Sequence, residues 1–213
     1  MESLDSRDFI FRMKKYSIDD AKELISLARQ AIEDFYIDEN TEEKVPDEIK
    51  EKYKEKRGVF VSIYVDGELQ GCIGFPYPVF SLWKGVIKAA VGAAFEDPRF
   101  PPLLRKDYEK SRIELTILTE PEPIEIKEVE DYLKKIKIGK HGLMVKDAFG
   151  TGLLLPQVAV DEGWTVEEFL NYTCMKAGLD ADCWRNKRRN VYWFEAQIFK
   201  EEDGKIVEKK LRG

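Results

Sequence analysis

The chain has 213 residues, 43% of them hydrophobic and 36% charged, enough apolar surface to offset the ordering entropy that keeps polar chains disordered, so one or two folded domains are expected. Its 35 Lys and Arg against 41 Asp and Glu leave a net charge of −6, which argues against nonspecific binding of nucleic acid. No apolar run approaches the roughly 18 to 20 residues of a membrane span, and the acidic start Met1 to Asp5 lacks a signal-peptide pattern; a cytoplasmic protein with no membrane partner is expected.

In chain order, Ala21, Leu24, Ile25, Ala28, Ile32 and Phe35 share one helical face, and Ser17 with Asp20 forms a capping box, predicting a helix from Ser17 to about Tyr36. The charged stretch Asn40 to Lys56, interrupted by Pro46, reads as an exposed connection with at most one short helix. Two strand-like runs, Gly58 to Val65 and Glu68 to Gly74, flank Asp66-Gly67, the signal of a type I′ hairpin. Ser81 to Glu96 is a second helix, apolar or small nearly all round and therefore buried, with a Gly/Ala side that admits another backbone; Pro98 ends it.

Ser111 to Thr119 alternates Ile113, Leu115 and Ile117 with Glu114 and Thr116, a strand with one wet or functional face. Val129 to Ile136 suits a short helix. Leu143 to Lys146 and Gly152 to Leu155 form a second hairpin. Thr165 and Glu168 form a capping box for a helix whose inner face is Val166, Phe169, Leu170, Cys174 and Ala177, stopped at Gly178. Asn190 to Lys200 is the last strand. Helices and hairpins without a βαβ rhythm predict an α+β fold with mostly antiparallel sheet.

Cys72, Cys174 and Cys183 are odd in number and contain no C-x-x-C pair. They suggest neither a disulfide framework nor a thiolate zinc site, and a reducing compartment is the simpler expectation. His141 is the only histidine, which excludes multi-histidine metal centres; no metal or cofactor motif is read. The remaining nucleophilic scheme that uses histidine pairs a Cys or Ser with His141.

The segments Leu69 to Gly74 (LQGCIG), Asp97 to Leu103 (DPRFPPL), Gly139-Lys-His-Gly142 and Gly152 to Ala159 (GLLLPQVA), followed by Gly163-Trp164, resemble the AMMECR family, from about Ser17 to Phe199. The resemblance implies one domain over residues 1–213, built as two intertwined α+β subdomains with these motifs around the cleft between them. It carries no settled activity. It also implies a link to Memo-type and radical-SAM proteins as pathway partners. The family usually has Arg where this chain has Gln70; if that guanidinium holds an anion, the charge must here come from elsewhere.

Cys72 is the candidate nucleophile, although free cysteine usually packs as a small hydrophobe. A regular register opposes Cys72 to Val61, whereas a bulge at Gly71 turns it to the other face, beside Phe60. Gly71 and Gly74 mark a close approach of backbone or ligand, or bulges bending the strand toward Pro76. Asp97, at a helix C-terminus where the macrodipole disfavours it, needs a fixed partner, and Asp97 with Arg99 braces the following Pro-rich turn or contacts ligand. His141 could orient a substrate or activate Cys72, but a lone histidine beside glycines is more often a turn residue. Lys140 offers an anion contact, and Gln157 a neutral donor and acceptor at a strand end. Arg185 to Arg189 reads as a solvated turn rather than a nucleic-acid patch. The function expected is an interdomain cleft that binds a small molecule or modified residue, with cysteine-dependent chemistry at Cys72. The alternative is a noncatalytic adaptor that docks a protein or peptide, and an RNA-modification accessory is weaker.

Overall fold

The computed structural model describes residues 15–147, 150–186 and 190–210. Their elements in order are α1 (Ile18–Tyr36), α2 (Thr41–Lys44), α3 (Asp47–Lys52), β1 (Gly58–Val65), β2 (Glu68–Phe75), α4 (Leu82–Val91), α5 (Arg105–Tyr108), β3 (Arg112–Leu118) and β4 (Glu122–Pro123). Then follow α6 (Asp131–Lys135), β5 (His141–Lys146), β6 (Thr151–Leu154), α7 (Pro156–Asp161), α8 (Val166–Lys176), β7 (Val191–Glu202) and β8 (Lys205–Glu208). The fold is α+β. Its curled antiparallel sheet runs β2-β1-β3-β7-β5-β6, with β4 and β8 also paired to β7.

Local chemistry explains most boundaries. Ser17 and Thr165 cap α1 and α8 through reciprocal bonds with Asp20 and Glu168. Asp66 and Gly67 take φ of 53° and 89°, the left-handed pair that a type I′ turn requires. Asp203 and Gly204 repeat the device at 48° and 74°, and the strand expected to end near Lys200 therefore turns back as β8. The 40–56 connection holds two short helices rather than one, because Asn40 caps α2 and Pro46 opens α3. Pro156 likewise starts α7 at its first turn, so Gln157 lies in a helix, not at a strand end.

Strand alternation sorts the core. One sheet face carries Val59, Val61, Ile63, Ile113, Leu115, Ile117 and Phe199 against α1 and α4, and further along it Leu143, Val145 and Val191 against α6 and α8. The other face gathers Phe60, Leu118, Met144 and Phe194 with Tyr77, Leu153 and Leu155. Helix α4 runs on as a wide π turn, Gly92–Glu96, whose backbone lies directly on β2: a Cβ on Gly71 would sit 1.9 Å from the Ala93 carbonyl oxygen. Among the described residues no helix is long and apolar enough to cross a membrane.

The expectation of free thiols fails at one pair. Cys174, on the buried face of α8, is bonded to Cys183, with Cα atoms 5.9 Å apart. Spacing alone hid this pairing, since only the reversal after α8, with Gly178 at φ 76°, returns the chain to helix α8. The bond closes a short loop, the sequence separation being 9, so by chain entropy reduction should cost about 2 to 3 kcal/mol of stability. Chemical denaturation with and without reductant is expected to show that loss in native protein and none in a Cys174→Ala, Cys183→Ala double variant.

Candidate functional site

The β1–β2 hairpin is irregular where it matters. Val65 faces Glu68 and Tyr64 faces Leu69, but Ile63 then faces Gly71, leaving Gln70 as the extra residue of a bulge. The slip puts Cys72 opposite Ser62 instead of Val61, with the Ser62 hydroxyl donating to the Cys72 sulfur at 3.1 Å. The face change raised by a bulge at Gly71 is thus realised. Gln70 uses its displaced position to donate from Nε2 to the Pro101 carbonyl at 3.2 Å.

Asp97 leaves the π turn and points back at this bulge. Its carboxylate is buried and accepts the Cys72 N–H at 2.9 Å, the Arg99 N–H at 3.1 Å, Arg99 Nε at 2.9 Å and Arg99 Nη2 at 2.7 Å. Arg99 Nη2 also donates to the Cys72 carbonyl at 3.1 Å. Both backbone groups of Cys72 are therefore clasped by one ion pair. The Arg99 guanidinium and these N–H donors hold the Asp97 carboxyl well below the usual carboxylate range. Asp97 and Arg99 brace the following turn as expected, and they fix the thiol's backbone as well.

Lys176, at the end of α8, completes the surroundings. Burial, then the charge of Arg99, pushes its ammonium pKa down, while Cys72 acts in the opposite sense. Two cations from distant parts of the chain therefore act on Cys72, Arg99 by a bond to its carbonyl and Lys176 electrostatically. No sequence signal marks Lys176 or Ser62, because only the bulge and the curl of the sheet bring them to Cys72.

The glycines are occupied by protein. Gly71 makes room for the Ala93 carbonyl, and a Cβ on Gly74 would meet the Phe60 ring at 2.3 Å. His141 is not with Cys72. It pairs with Glu195 on β7, which by alternation lies on the sheet face opposite to Lys200 and the Cys72 row, and its ring packs on Trp193 with centroids 4.6 Å apart. Its Nδ1 accepts the Lys137 N–H at 3.2 Å. Lys140 is engaged by Glu195 at 3.1 Å. Gln157 Oε1 is buried with no hydrogen-bond partner among the described residues. Arg185 pairs with Glu167 and covers the Trp184 ring; residues 187–189 of the basic run lie outside the described residues.

Across the strands, the Cys72 face continues as a polar row: Cys72 opposite Ser62, Ser62 opposite Glu114, and Glu114 opposite Lys200. The alternation of Glu114 with apolar residues pointed to this face. Glu114 is buried, which pushes its carboxyl pKa up. Tyr64, next to the row, is pushed up to about 12 by burial, with Glu114, Cys72 and Asp161 adding.

Comparison with known proteins places the chain in a family. The family model described as AMMECR1 matches residues 25–199. A Nanoarchaeum equitans protein, NEQ441, is 47% identical over 84% of this chain and 99% of its own. A Pyrococcus furiosus protein, PF1979, is 48% identical over 84% of this chain and 87% of its own. The crystal structure of the uncharacterized protein PH0010 from Pyrococcus horikoshii superposes with a TM-score of 0.82 at 41% identity, covering 92% of this chain and 98% of that one.

Burial, helped by the charges of Lys140 and Lys137, drives the His141 pKa from 6.5 down to about 4. The folded state therefore holds His141 neutral where the unfolded chain would protonate it. Its contribution is complete above pH 6.5 and is lost as pH falls toward 4, by up to about 3 kcal/mol. Urea unfolding across that window should show the decline, and His141→Gln should flatten it.

Proposed function

The chain belongs to the AMMECR1 family, and from that premise we propose that the sheet face around Cys72 is a binding cleft, shared by two subdomains, for a small molecule or modified residue with an anionic group, the thiol being its reacting point. The observation that carries this proposal is the clasp. A cysteine kept only as a core hydrophobe has no use for a buried Asp–Arg pair bonded to both its N–H and its carbonyl. Pinning the backbone on both sides of the residue fixes where the sulfur stands, the preorganisation a reacting group requires.

The ligand class follows from charge. Arg99, its side chain 58% exposed, is bonded to the Cys72 carbonyl, Lys176 acts on Cys72 electrostatically, and the sulfur receives the Ser62 hydroxyl. Paired cations at a partly dry surface attract carboxylate or phosphate. They also supply the positive charge that Gln70 lacks relative to the usual family Arg. His141, on the opposite sheet face, has no part in the proposed chemistry.

The alternative is an adaptor surface. A groove of about 540 Å³ lined by Phe35, Ile73, Phe75, Phe80 and Val91 lies between α1, α4 and β2 and gives it an apolar footing. The two readings separate at the thiol.

With Cys174 and Cys183 bonded, iodoacetamide should modify native protein at Cys72 alone, and faster than a free cysteine in the unfolded chain. Arg99→Gln should slow the native rate about tenfold by loosening the clasp and removing a cation. Peptide mass mapping checks the site and quenched time points the rate. Native Cys72 that reacts only on unfolding would sink the chemical reading and leave the adaptor.

A further inference from the structure

The polar row ends at a second feature, which stands apart from the thiol. A pocket of about 260 Å³ is lined by Tyr64, Arg112, Glu114, Lys200, Glu202 and Lys209, among others. That volume is the room of roughly eight or nine water molecules. It suits a ligand on the order of ten non-hydrogen atoms.

Glu114 is its unusual member. The side chain is only 9% exposed, and its one ion-pair partner among the described residues is Lys209, whose Nζ stands 3.8 Å away, longer than a good hydrogen bond. One long ion pair leaves most of the acceptor sites of this carboxylate open to a ligand or water. The neighbouring carboxylates differ. Glu201 is bound by Arg29 Nε and Nη2 and accepts the Ile113 N–H, and Glu202 is paired with Lys200.

The other groups are arranged around this acceptor. The Tyr64 hydroxyl makes no hydrogen bond among the described residues and stays protonated, a donor at the pocket wall. Asp161 of α7 lies close enough to add negative potential at both Tyr64 and Glu114. The cations stand further out, Lys209 and Lys200 being 33% and 34% exposed and Arg112 60%. Glu114 thus lies deep, with Glu202, 45% exposed, and the cations at the rim. A simple cation would meet three positive side chains on its way in, and a simple anion would meet Glu114 and Glu202.

We infer that this pocket binds a small zwitterion of the α-amino acid class, its ammonium donating to Glu114 and its carboxylate held by Lys200, Lys209 and Arg112. Two strand spacings separate Glu114 from Cys72, about 10 Å. The inference does not require the thiol to react.

The test uses the full chain. Each standard L-amino acid is screened by thermal shift at about 10 mM, where a ligand of millimolar affinity raises the midpoint measurably, and those that stabilise are titrated by calorimetry. At least one should bind, and its N-acetyl and carboxamide forms, each lacking one charge, should bind about tenfold more weakly or not at all. Glu114→Gln should weaken binding by a similar factor, while Cys72→Ser leaves it unchanged. If Glu114→Gln fails to fold, the comparison of ligand derivatives on native protein still decides. The inference is overturned if no amino acid binds, or if the N-acetyl form binds as well as the parent. Binding that survives Glu114→Gln but is lost in Cys72→Ser would also overturn it, placing the ligand in the thiol cleft and leaving the proposal for Cys72 standing.

Discussion

A carboxylate taken out of water must be given donors, and the buried Asp97 is given four, three of them from Arg99 and one from the backbone of Cys72. This constraint organises the region. It sets where the π turn ends and how the Pro-rich turn begins, and through Cys72 it ties both to strand β2. The bulge at Gln70 and the absent side chain at Gly71 are its accessories. One aims the Cys72 N–H, and the other lets the Ala93 backbone come close enough for Asp97 to arrive.

The curl of the sheet has the second large effect. Its helix-covered face is conventional core, whereas the other face combines an apolar centre around Phe60 and Phe194 with the row Cys72, Ser62, Glu114 and Lys200. Asp161 of α7 and Lys176 of α8, remote in sequence, act electrostatically on residues of that row and beside it. Its two ends differ in sign and burial. Arg99 and Lys176 act on Cys72 at one end, and at the other the nearly buried Glu114 lies beneath a rim of Lys200, Lys209, Arg112 and Glu202. A ligand carrying groups of both signs would find partners along one face without any rearrangement of the strands.

Much of the fold was legible because its signals are local. The capping boxes at Ser17 and Thr165 and the Asp66-Gly67 turn each concern residues within four positions of one another, where sterics and short hydrogen bonds decide the backbone. Asp203-Gly204 carries the same local signal and turns β7 back into strand β8. The Cys174–Cys183 bond was not legible, since a disulfide depends on a Cα separation that spacing along the chain does not provide. The helix after Pro156 and the second short helix of the 40–56 connection escaped for a milder reason. Both are too brief to show a period.

The candidate site divides along the same line. By itself the sequence determined the residue types near Cys72, the need of Asp97 for a partner, the association of Asp97 with Arg99 and the strand on which Glu114 alternates with apolar neighbours, all of which follow from short-range charge and periodicity. Tertiary structure alone decided which face Cys72 occupies, that Ser62 and Lys176 act on it, that His141 and Lys140 do not, and that Glu114 is buried with Lys209 as its ion-pair partner. The physical reason is that a one-residue slip in strand register reverses every side chain beyond it. Burial and electrostatic potential likewise depend on elements hundreds of atoms away along the chain, which no local pattern encodes.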